Sequence, residues 1–355
     1  MEGGCTFGAW SPDGKWMYFI SNAVGDNHIW RQRFPDGVPE QLTLGTTEEE
    51  GLAMAPDGRS LITAVTVQSA SLWVHDAGGE RQVSLEGNAA QPNFTSDGKK
   101  LLYRVVNEPP TEFGFYEDPG EIMVADLQSQ RSEPLVRGFK ALDYSISMDD
   151  REVAMEARDQ QGKLRLWLAP LDRSSPPRQI PGVEGSEPRF GPGGEIFFRH
   201  ADGTLQFVYR VQPDGSGMKK VLEQFIANLY YVSRDGQWIM AWGPRPGGGP
   251  AAFQAHPIGG GPSIAVGGSM RLFESRDARS SVLDSENWSY VVPLPPNQTL
   301  KQIPAGGFQT EEQAARLPGA KRVEGPHIEA LGANAGTYAF YHGVAQRNLY
   351  RIPLP

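Results

Sequence analysis

The residues of this sequence that could form a binding site recur at one fixed position of a repeated unit. In each of eight copies, the position lies six residues before the Asp, or its equivalent, of a tight turn. Five of the eight occupants are polar or charged and four are ionisable, the full set being Phe7, Gly51, Gln91, Asp143, Glu187, Leu229, Arg271 and Glu329. Carboxylate, guanidinium and amide groups that converge on one opening can bind a ligand by ion pairs and hydrogen bonds. The alternative is that they solvate a water-filled channel and pair with one another.

The polar members of this set form the predicted ligand site, which consists of Gln91, Asp143, Glu187, Arg271 and Glu329. If the strands that carry them converge on one axis, Arg271 faces the three carboxylates across a narrow opening. Such an opening has a net negative charge, so a cationic or hydrogen-bond-donating partner fits it better than an anion. Sheet edges and loops, such as residues 107–120, are the alternative binding surface.

Motifs of known catalytic chemistry are missing from the sequence. No G-x-S-x-G segment carries a serine nucleophile, and none of the six histidines belongs to an H-E-x-x-H or H-x-x-x-H pair that could bind zinc. The single cysteine, Cys5, excludes an internal disulfide and a multi-cysteine metal site. The sequence therefore predicts no catalytic residue, no resident metal and no cofactor.

A turn with the pattern Pro-Asp-Gly recurs along the whole chain and positions these residues. It reads S-P-D-G-K at residues 11–15, A-P-D-G-R at 55–59 and T-S-D-G-K at 95–99, and successive copies lie 40 to 58 residues apart. Pro presets the first bend, Asp bonds to the turn backbone, and Gly takes the left-handed conformation. A β-rich run precedes each turn and another follows it, which indicates a hairpin in each repeat.

A third strand in each repeat carries one large side chain at an equivalent position. The column reads Trp30, Trp73, Met123, Trp167, Tyr209, Gln254, Tyr290 and Tyr350. Six of its eight members are aromatic although aromatic residues make up only 10% of the chain, so the column is not a chance arrangement. Flat side chains that recur once per repeat suit the packing of neighbouring sheets. The predicted role of Trp30, Trp73, Trp167, Tyr209, Tyr290 and Tyr350 is therefore structural.

Four short antiparallel strands per repeat at this period predict an all-β fold of the β-propeller type. Eight turns predict eight four-stranded blades in a single domain over residues 1–355, with seven blades as the alternative. The last repeat ends with its third strand near the chain terminus, so its fourth strand would have to come from the N-terminus. Few residues precede the first strand, and the ring is expected to close imperfectly at the termini.

Composition and charge narrow the range of partners. The chain has 355 residues, a net charge of −9 and a pI near 5.3, and no dense run of Lys and Arg, which argues against nucleic acid as a partner. No apolar run approaches the roughly 18 residues that cross a bilayer, and no signal peptide is visible at the N-terminus. The compartment stays open on these grounds.

The repeated turn and the strands that follow it resemble the WD40-like PD40 repeats of TolB-type propellers. This resemblance covers essentially the whole chain and is clearest in the first three repeats. The segments T-Y-A-F at residues 337–340 and Q-R-N-L-Y-R-I-P-L at 346–354 look like the C-terminus of acidobacterial-type proteins in which a propeller follows a Ser/Thr protein kinase domain. In those proteins a membrane span usually precedes the propeller, which acts as a sensor or scaffold. No kinase motif lies in this chain.

The resemblance implies a non-catalytic propeller that binds a small molecule, peptide or protein as part of a bacterial signalling protein. It would be extracytoplasmic or periplasmic if attached to a membrane kinase, and otherwise cytoplasmic. The alternative function is a stand-alone lactonase- or lyase-like propeller enzyme with a divalent cation held by Asp143, Glu187 and Glu329. The ligand, the upstream domain and the oligomeric state are left open.

Overall fold

The structure is a computed structural model that describes residues 3–24, 27–45, 48–85, 87–107, 118–245, 248, 250–267, 270–285, 287–294, 303–304, 306–325 and 327–354. Most of the loop at residues 107–120, the alternative binding surface, lies outside the described residues. The chain is all-β, with 56% of the described residues in strands and 2% in helix, which confirms the predicted fold class. No helix in the described part of the chain reaches the length and apolar character needed to span a bilayer.

The strands are numbered in chain order. The first three repeats contain β1 (Cys5–Trp10), β2 (Trp16–Ser21), β3 (His28–Arg33), β4 (Glu40–Gln41), β5 (Glu48–Met54), β6 (Ser60–Asp76), β7 (Gly79–Gln82), β8 (Asn88–Phe94), β9 (Lys100–Val106), β10 (Gly120–Asp126) and β11 (Arg131–Pro134). The next three contain β12 (Lys140–Ala141), β13 (Asp143–Ile146), β14 (Glu152–Arg158), β15 (Leu164–Pro170), β16 (Arg178–Glu184), β17 (Ser186–Phe190), β18 (Ile196–Asp202), β19 (Leu205–Val211), β20 (Lys219–Lys220), β21 (Asn228–Val232), β22 (Trp238–Gly243), β23 (Ala252–Pro257) and β24 (Ile264–Gly267). The last two contain β25 (Arg271–Glu274), β26 (Ser280–Ser285), β27 (Trp288–Pro293), α1 (Glu311–Ala315), β28 (Lys321–Val323), β29 (Ile328–Leu331) and β30 (Tyr338–Pro353).

Each of the eight repeats begins with an antiparallel hairpin, which confirms the eight repeated units. The hairpins are β1–β2, β5–β6, β8–β9, β13–β14, β17–β18, β21–β22, β25–β26 and β29–β30. Six repeats build a sheet of their own, with the first strand of the hairpin at one edge. The second and eighth repeats instead share one sheet, ordered β29–β30–β6–β5 with β7 beside β6.

The repeated turn is held together by its own side chains. Ser11 Oγ donates to Asp13 Oδ1 at 2.7 Å, and the backbone N–H of Lys15 donates to the same oxygen at 3.1 Å. These hydrogen bonds lower the pKa of Asp13, and Gly14 takes a φ of +69°. The same bond from a hydroxyl to the turn Asp, at 2.6 or 2.7 Å, recurs in four further turns, from Thr95, Ser147, Ser233 and Ser275.

The chain forms two compact units, and the single domain over residues 1–355 stays a prediction. The first comprises Met1–Ser69 with Gly343–Pro355, and the second comprises Ala70–His342. In the first unit, the β1–β4 sheet is accompanied by β5, the start of β6 and the end of β30. The backbone N–H of Leu354 donates to the carbonyl of Arg59 at 2.9 Å. A hydrophobic cluster in this unit contains the buried side chains of Tyr18, Ile20, Ile29 and Leu61.

The second unit contains six sheets that surround one channel. Five belong to the repeats from β8 to β28, and the sixth combines β29 and the start of β30 with the end of β6 and β7. Ser71 Oγ donates to the carbonyl of His342 at 3.2 Å within this composite sheet. Its third strand is therefore the end of β6 and not the strand predicted near the chain terminus, and its fourth strand is β7 and not a segment from the N-terminus as predicted.

Hydrophobic clusters join the six sheets into a closed ring. Among the described residues, one cluster lies between each pair of neighbouring sheets. Leu102 and Tyr144 belong to one such cluster, and Ala89 and Leu72 belong to the one that joins the β8 sheet to the composite sheet. This packing brings the first strands β8, β13, β17, β21, β25 and β29 together around the axis of the second unit.

The aromatic column is buried to different degrees. Trp30 and Tyr290 are buried, and Trp73, Trp167 and Tyr209 are half-buried. Trp167 meets Phe139 edge-on, with ring centroids 5.4 Å apart. Tyr350 is 49% exposed, because it lies in the part of β30 that forms the edge of the three strands in the first unit.

Candidate functional site

The channel of the second unit encloses a cavity of about 300 Å³. All six inner strands contribute to its lining, and each of the five polar residues of the predicted site is part of it. We call the end of the channel that carries Gln91, Asp143, Glu187, Arg271 and Glu329 the channel mouth. The opposite end, where Arg234 and Arg276 line the cavity next to the repeated turns, is called the turn end. The first two positions of the repeated set, Phe7 and Gly51, belong to the first unit.

A β-bulge in each of two inner strands positions one residue of the mouth. The pairing register shifts between Ala90 and Asn93 in β8, and between Ser186 and Arg189 in β17. Gln91 and Glu187 lie in these bulges with φ values of +54° and +52°, a conformation that is unfavourable for residues other than glycine. Bulges re-aim side chains next to functional sites, and strained backbone is concentrated there.

Asp143 is held from two sides at the mouth. Arg189 donates through Nη1 to Oδ1 at 2.7 Å and through Nη2 to Oδ2 at 2.9 Å, a two-bonded ion pair. Gln91 Nε2 donates to Asp143 Oδ1 at 2.6 Å, and the hydroxyl of Tyr144 donates to the backbone carbonyl of Gln91 at 2.7 Å. The carboxylate and the amide therefore have fixed orientations before any ligand arrives.

Two further carboxyl groups adjoin this pair: Glu187, which is half-buried, and Glu156, which is buried. Glu187 accepts hydrogen bonds from the backbone N–H of Leu229 at 2.5 Å and from Asn228 Nδ2 at 3.0 Å, and burial raises its pKa. Glu156 Oε2 accepts from the backbone N–H of Glu187 at 2.9 Å. Burial, with the nearby charge of Asp143, raises the pKa of Glu156 to about 7. Glu156 is therefore partly protonated at neutral pH.

Arg271 bridges two carboxylates on the other side of the mouth. Its Nη2 lies 2.5 Å from Asp284 Oδ2, and its Nη1 lies 3.1 Å from Glu329 Oε2. Asp284 also contacts His327 Nδ1 at 3.0 Å, and this hydrogen bond raises the pKa of His327. Of the three carboxylates that Arg271 was predicted to face, only Glu329 pairs with it. Asp143 and Glu187 have other arginines as partners.

The turn end is spanned by a pair that comes from opposite sides of the ring. Arg276 Nη2 donates to Asp150 Oδ1 at 2.6 Å and to the backbone carbonyl of Ser147 at 2.9 Å. The second carboxylate oxygen of Asp150 accepts from the backbone N–H of Ser96 at 2.7 Å and from its hydroxyl. Asp150 occupies the glycine position of its turn, with a φ of +57°.

The partners of the predicted site residues were missed by the sequence reasoning. Glu156 lies directly across the hairpin from Asp143, and Asp284 lies across from Arg271. Both could have been found by applying the hairpin register to the next strand. Arg276 stands where the clearest turns have proline, and this substitution is the signal that could have identified the turn end.

The alternative metal site requires its three carboxylates to converge. Arg189 binds Asp143, Arg271 binds Glu329, and Arg199 lies 3.5 Å from Glu187. Across the described residues, no group of three or more His, Cys, Asp or Glu side chains is arranged to hold a metal ion. The donor set therefore does not fit the predicted divalent-cation site.

Comparison with known proteins supports the fold. No protein-family model matches the sequence, and no curated protein matches it. A solved TolB structure from Agrobacterium tumefaciens is similar over 78% of this chain and 99% of its own, with 15% identity and a TM-score of 0.54. A TolB from Acinetobacter baumannii has 15% identity over 82% of this chain and 76% of its own, with a TM-score of 0.45. An oligogalacturonate lyase in complex with manganese has 18% identity over 81% of this chain and 88% of its own, with a TM-score of 0.44. The fold is that of a TolB-like β-propeller.

Proposed function

We propose that this chain is a non-catalytic binding propeller that takes its ligand at the channel mouth of the second unit. The observation that carries the proposal is the convergence of five polar side chains from five inner strands on one cavity of about 300 Å³. Ligand sites of proteins are concave and contain a few convergent polar groups. The ion pair of Asp143 with Arg189 and that of Glu329 with Arg271 orient these groups before binding, which lowers the entropic cost of association.

The charge of the mouth favours a cationic or hydrogen-bond-donating group on the ligand. Three carboxylates and two guanidinium groups line the cavity at the mouth, namely Asp143, Glu187, Glu329, Arg189 and Arg271. Their neighbours Glu156, Asp284, Arg104 and Arg199 add two carboxyl and two guanidinium groups, so carboxyl groups exceed guanidinium groups by one and the mouth has a net negative charge when all are ionised. An ammonium group can bind there without leaving a buried charge unpaired.

A titration of a cationic peptide tests this proposal. The probe is Lys-Ala-Ala with an amidated C-terminus, and isothermal titration calorimetry measures its affinity for the full chain. Replacing Asp143 by Asn together with Glu187 by Gln is expected to weaken binding at least tenfold, because both anionic groups are lost. The matched control is Glu223→Gln, an exposed carboxylate outside the cavity lining. Equal affinities for the double variant and the control would place the ligand elsewhere.

We also propose that the propeller is the sensor or scaffold portion of a bacterial signalling protein. The similarity of residues 337–340 and 346–354 to the C-terminus of kinase-associated propellers supports this assignment. It predicts an upstream Ser/Thr kinase domain and a membrane span in the same reading frame, and an extracytoplasmic propeller. Sequencing the gene upstream of Met1 tests for the kinase domain and the membrane span. A reporter enzyme fused to the C-terminus tests whether the propeller is extracytoplasmic. A reading frame with no kinase domain would overturn the assignment.

A further inference from the structure

Two arginines occupy equivalent turn positions at the turn end of the channel. In the six turns of the second unit, the residue before the Asp or its equivalent is Ser96, Met148, Pro192, Arg234, Arg276 or Asn334. Proline is favoured at this position because it presets φ, whereas arginine has no such advantage for the turn. The two arginines come from neighbouring repeats, and both line the cavity. Their presence is therefore better explained by their side chains than by the turn.

Three hydrogen-bond donors at this end have no protein partner among the described residues. They are Nη2 of Arg234, Nε of Arg276 and the hydroxyl of Tyr231, and all three atoms are buried. Native proteins rarely leave a buried donor unpaired, because its desolvation is then uncompensated. Three such donors on residues that line one cavity indicate a group that accepts hydrogen bonds.

Three carboxylate oxygens near these donors have other partners. Asp150 divides its two oxygens between Arg276 and Ser96, and Glu274 Oε2 accepts from the backbone N–H of Arg234 at 3.1 Å. Burial, together with the positive charge of Arg276, lowers the pKa of Arg234 to about 10. The two guanidinium groups therefore repel each other in a partly desolvated environment. An anion between them would relieve this repulsion and supply the missing acceptor oxygens.

We infer that the turn end, defined here by Tyr231, Arg234 and Arg276, binds an anionic group of the ligand. A carboxylate or a phosphate fits, since both present several acceptor oxygens to a guanidinium fork. This inference rests on the proposed function, because it assumes that the ligand occupies the channel. With a cationic group at the mouth and an anionic group at the turn end, the ligand class is a short zwitterion, such as a free peptide C-terminus that carries a basic residue.

Paired peptides separate the two ends of the channel. The probes are Lys-Ala-Ala with a free carboxylate, the same peptide amidated, and inorganic phosphate as a competitor. For the wild-type chain, the free acid is expected to bind at least tenfold more tightly than the amide, and phosphate is expected to reduce this difference. In Arg234→Gln the acid is expected to keep less than a twofold advantage, since the fork that distinguishes it is gone.

Two further variants keep the test decisive. Arg234→Lys retains the charge but not the fork, and is expected to give an intermediate advantage for the acid. Arg316→Gln, an exposed arginine on a different surface, is the matched control and is expected to behave like the wild-type chain. Circular dichroism of each variant checks that the fold is kept.

The outcomes distinguish this inference from the proposed function. An equal affinity for acid and amide in the wild-type chain, or an advantage that survives Arg234→Gln, overturns the anion site at the turn end. If the amide still binds and still responds to loss of Asp143 and Glu187, the proposed function stands without the anion site. If neither peptide binds and phosphate binds with no dependence on Arg234, both proposals fail. Phosphate binding without peptide binding, lost in Arg234→Gln, supports the anion site and assigns it to a small free anion.

Discussion

Arg276 and Asp150 form an ion pair at 2.6 Å although 126 residues separate them in the sequence. They lie in the turns of the β25–β26 and β13–β14 hairpins, whose sheets are on opposite sides of the ring in the second unit, so the contact crosses the channel. Asp150 makes it from a left-handed backbone conformation that most of the corresponding turns leave to glycine. An unfavourable conformation is retained where the surrounding contacts outweigh its cost, and here those contacts are the cross-channel pair and the two bonds from Ser96.

The cross-channel pair is expected to contribute to stability as a unit. Asp150→Asn keeps a residue that tolerates the left-handed conformation but removes the charge, and Arg276→Gln removes the opposite charge. Each single change should cost about 3 kcal/mol, because it leaves a buried charge uncompensated. The double variant should cost clearly less than the sum of the two, as measured by urea unfolding. Costs that add within about 0.5 kcal/mol would mean that the two residues are not coupled.

Glu156 should make the protein less stable as the pH rises toward neutrality. Burial raises its folded-state pKa to about 7, above the ordinary value of 4.5, so the folded chain holds the proton more tightly than the unfolded chain. Its contribution is present below pH 4.5 and is lost as the pH rises through 7. Glu156→Gln should therefore be more stable than the wild-type chain at pH 8, by about 2 kcal/mol, with little difference at pH 4. Glu152→Gln on the same strand, at a more exposed position, serves as the control for loss of a carboxylate.

His256 should make the protein less stable as the pH falls into the acid range. Burial lowers its pKa from 6.5 to about 4, so the unfolded chain takes up the proton first as the pH falls. The free energy of unfolding should decrease between pH 6.5 and pH 4, by about 2 kcal/mol at pH 5. Denaturant unfolding of His256→Gln at pH 7 and pH 5 measures how much of this decrease disappears. A decrease in His256→Gln as large as that in the wild-type chain would contradict this role of His256.

Substitutions in the aromatic column should lower the free energy of unfolding by amounts that depend on how buried each side chain is. In the first unit, Trp30 is 9% exposed and donates through Nε1 to the carbonyl of Ser21 at 3.2 Å, whereas Tyr350 is 49% exposed. Trp30→Ala should cost about 3 to 5 kcal/mol, and Tyr350→Ala less than about 1 kcal/mol. Both residues belong to one unit, so a single unfolding transition followed by fluorescence compares them. Similar costs for the two would contradict the burial difference.

The repeat could be predicted because its signal is local. A hydroxyl or proline, an Asp and a Gly within five residues determine each turn, and the strands follow from the apolar runs on either side. The composite sheet could not be predicted in this way. Its pairing of the end of β6 with the start of β30 is non-local, and the turn of the eighth repeat, around Ala335, lacks the pattern that marks the others.

The candidate site was predicted in part, because its residues share a position whereas their partners do not. Counting back from the turn identified Gln91, Asp143, Glu187, Arg271 and Glu329, all of which line the cavity. The bulge in β17 changes the register after Glu187, so no fixed spacing could show that Arg189 reaches Asp143 in the preceding sheet.

The composite sheet has a consequence for the order in which the protein can be made. Ser71 must wait for His342, 271 residues later, before the two halves of that sheet can pair. Pairing over such a distance has a large loop-closure entropy and slows folding. During translation, the end of β6 and β7 therefore present unpaired strand edges until nearly the whole of the second unit has been synthesised. Arrested nascent chains that end near residue 320 should accordingly be cleaved by protease in this region, and the released full chain should resist it.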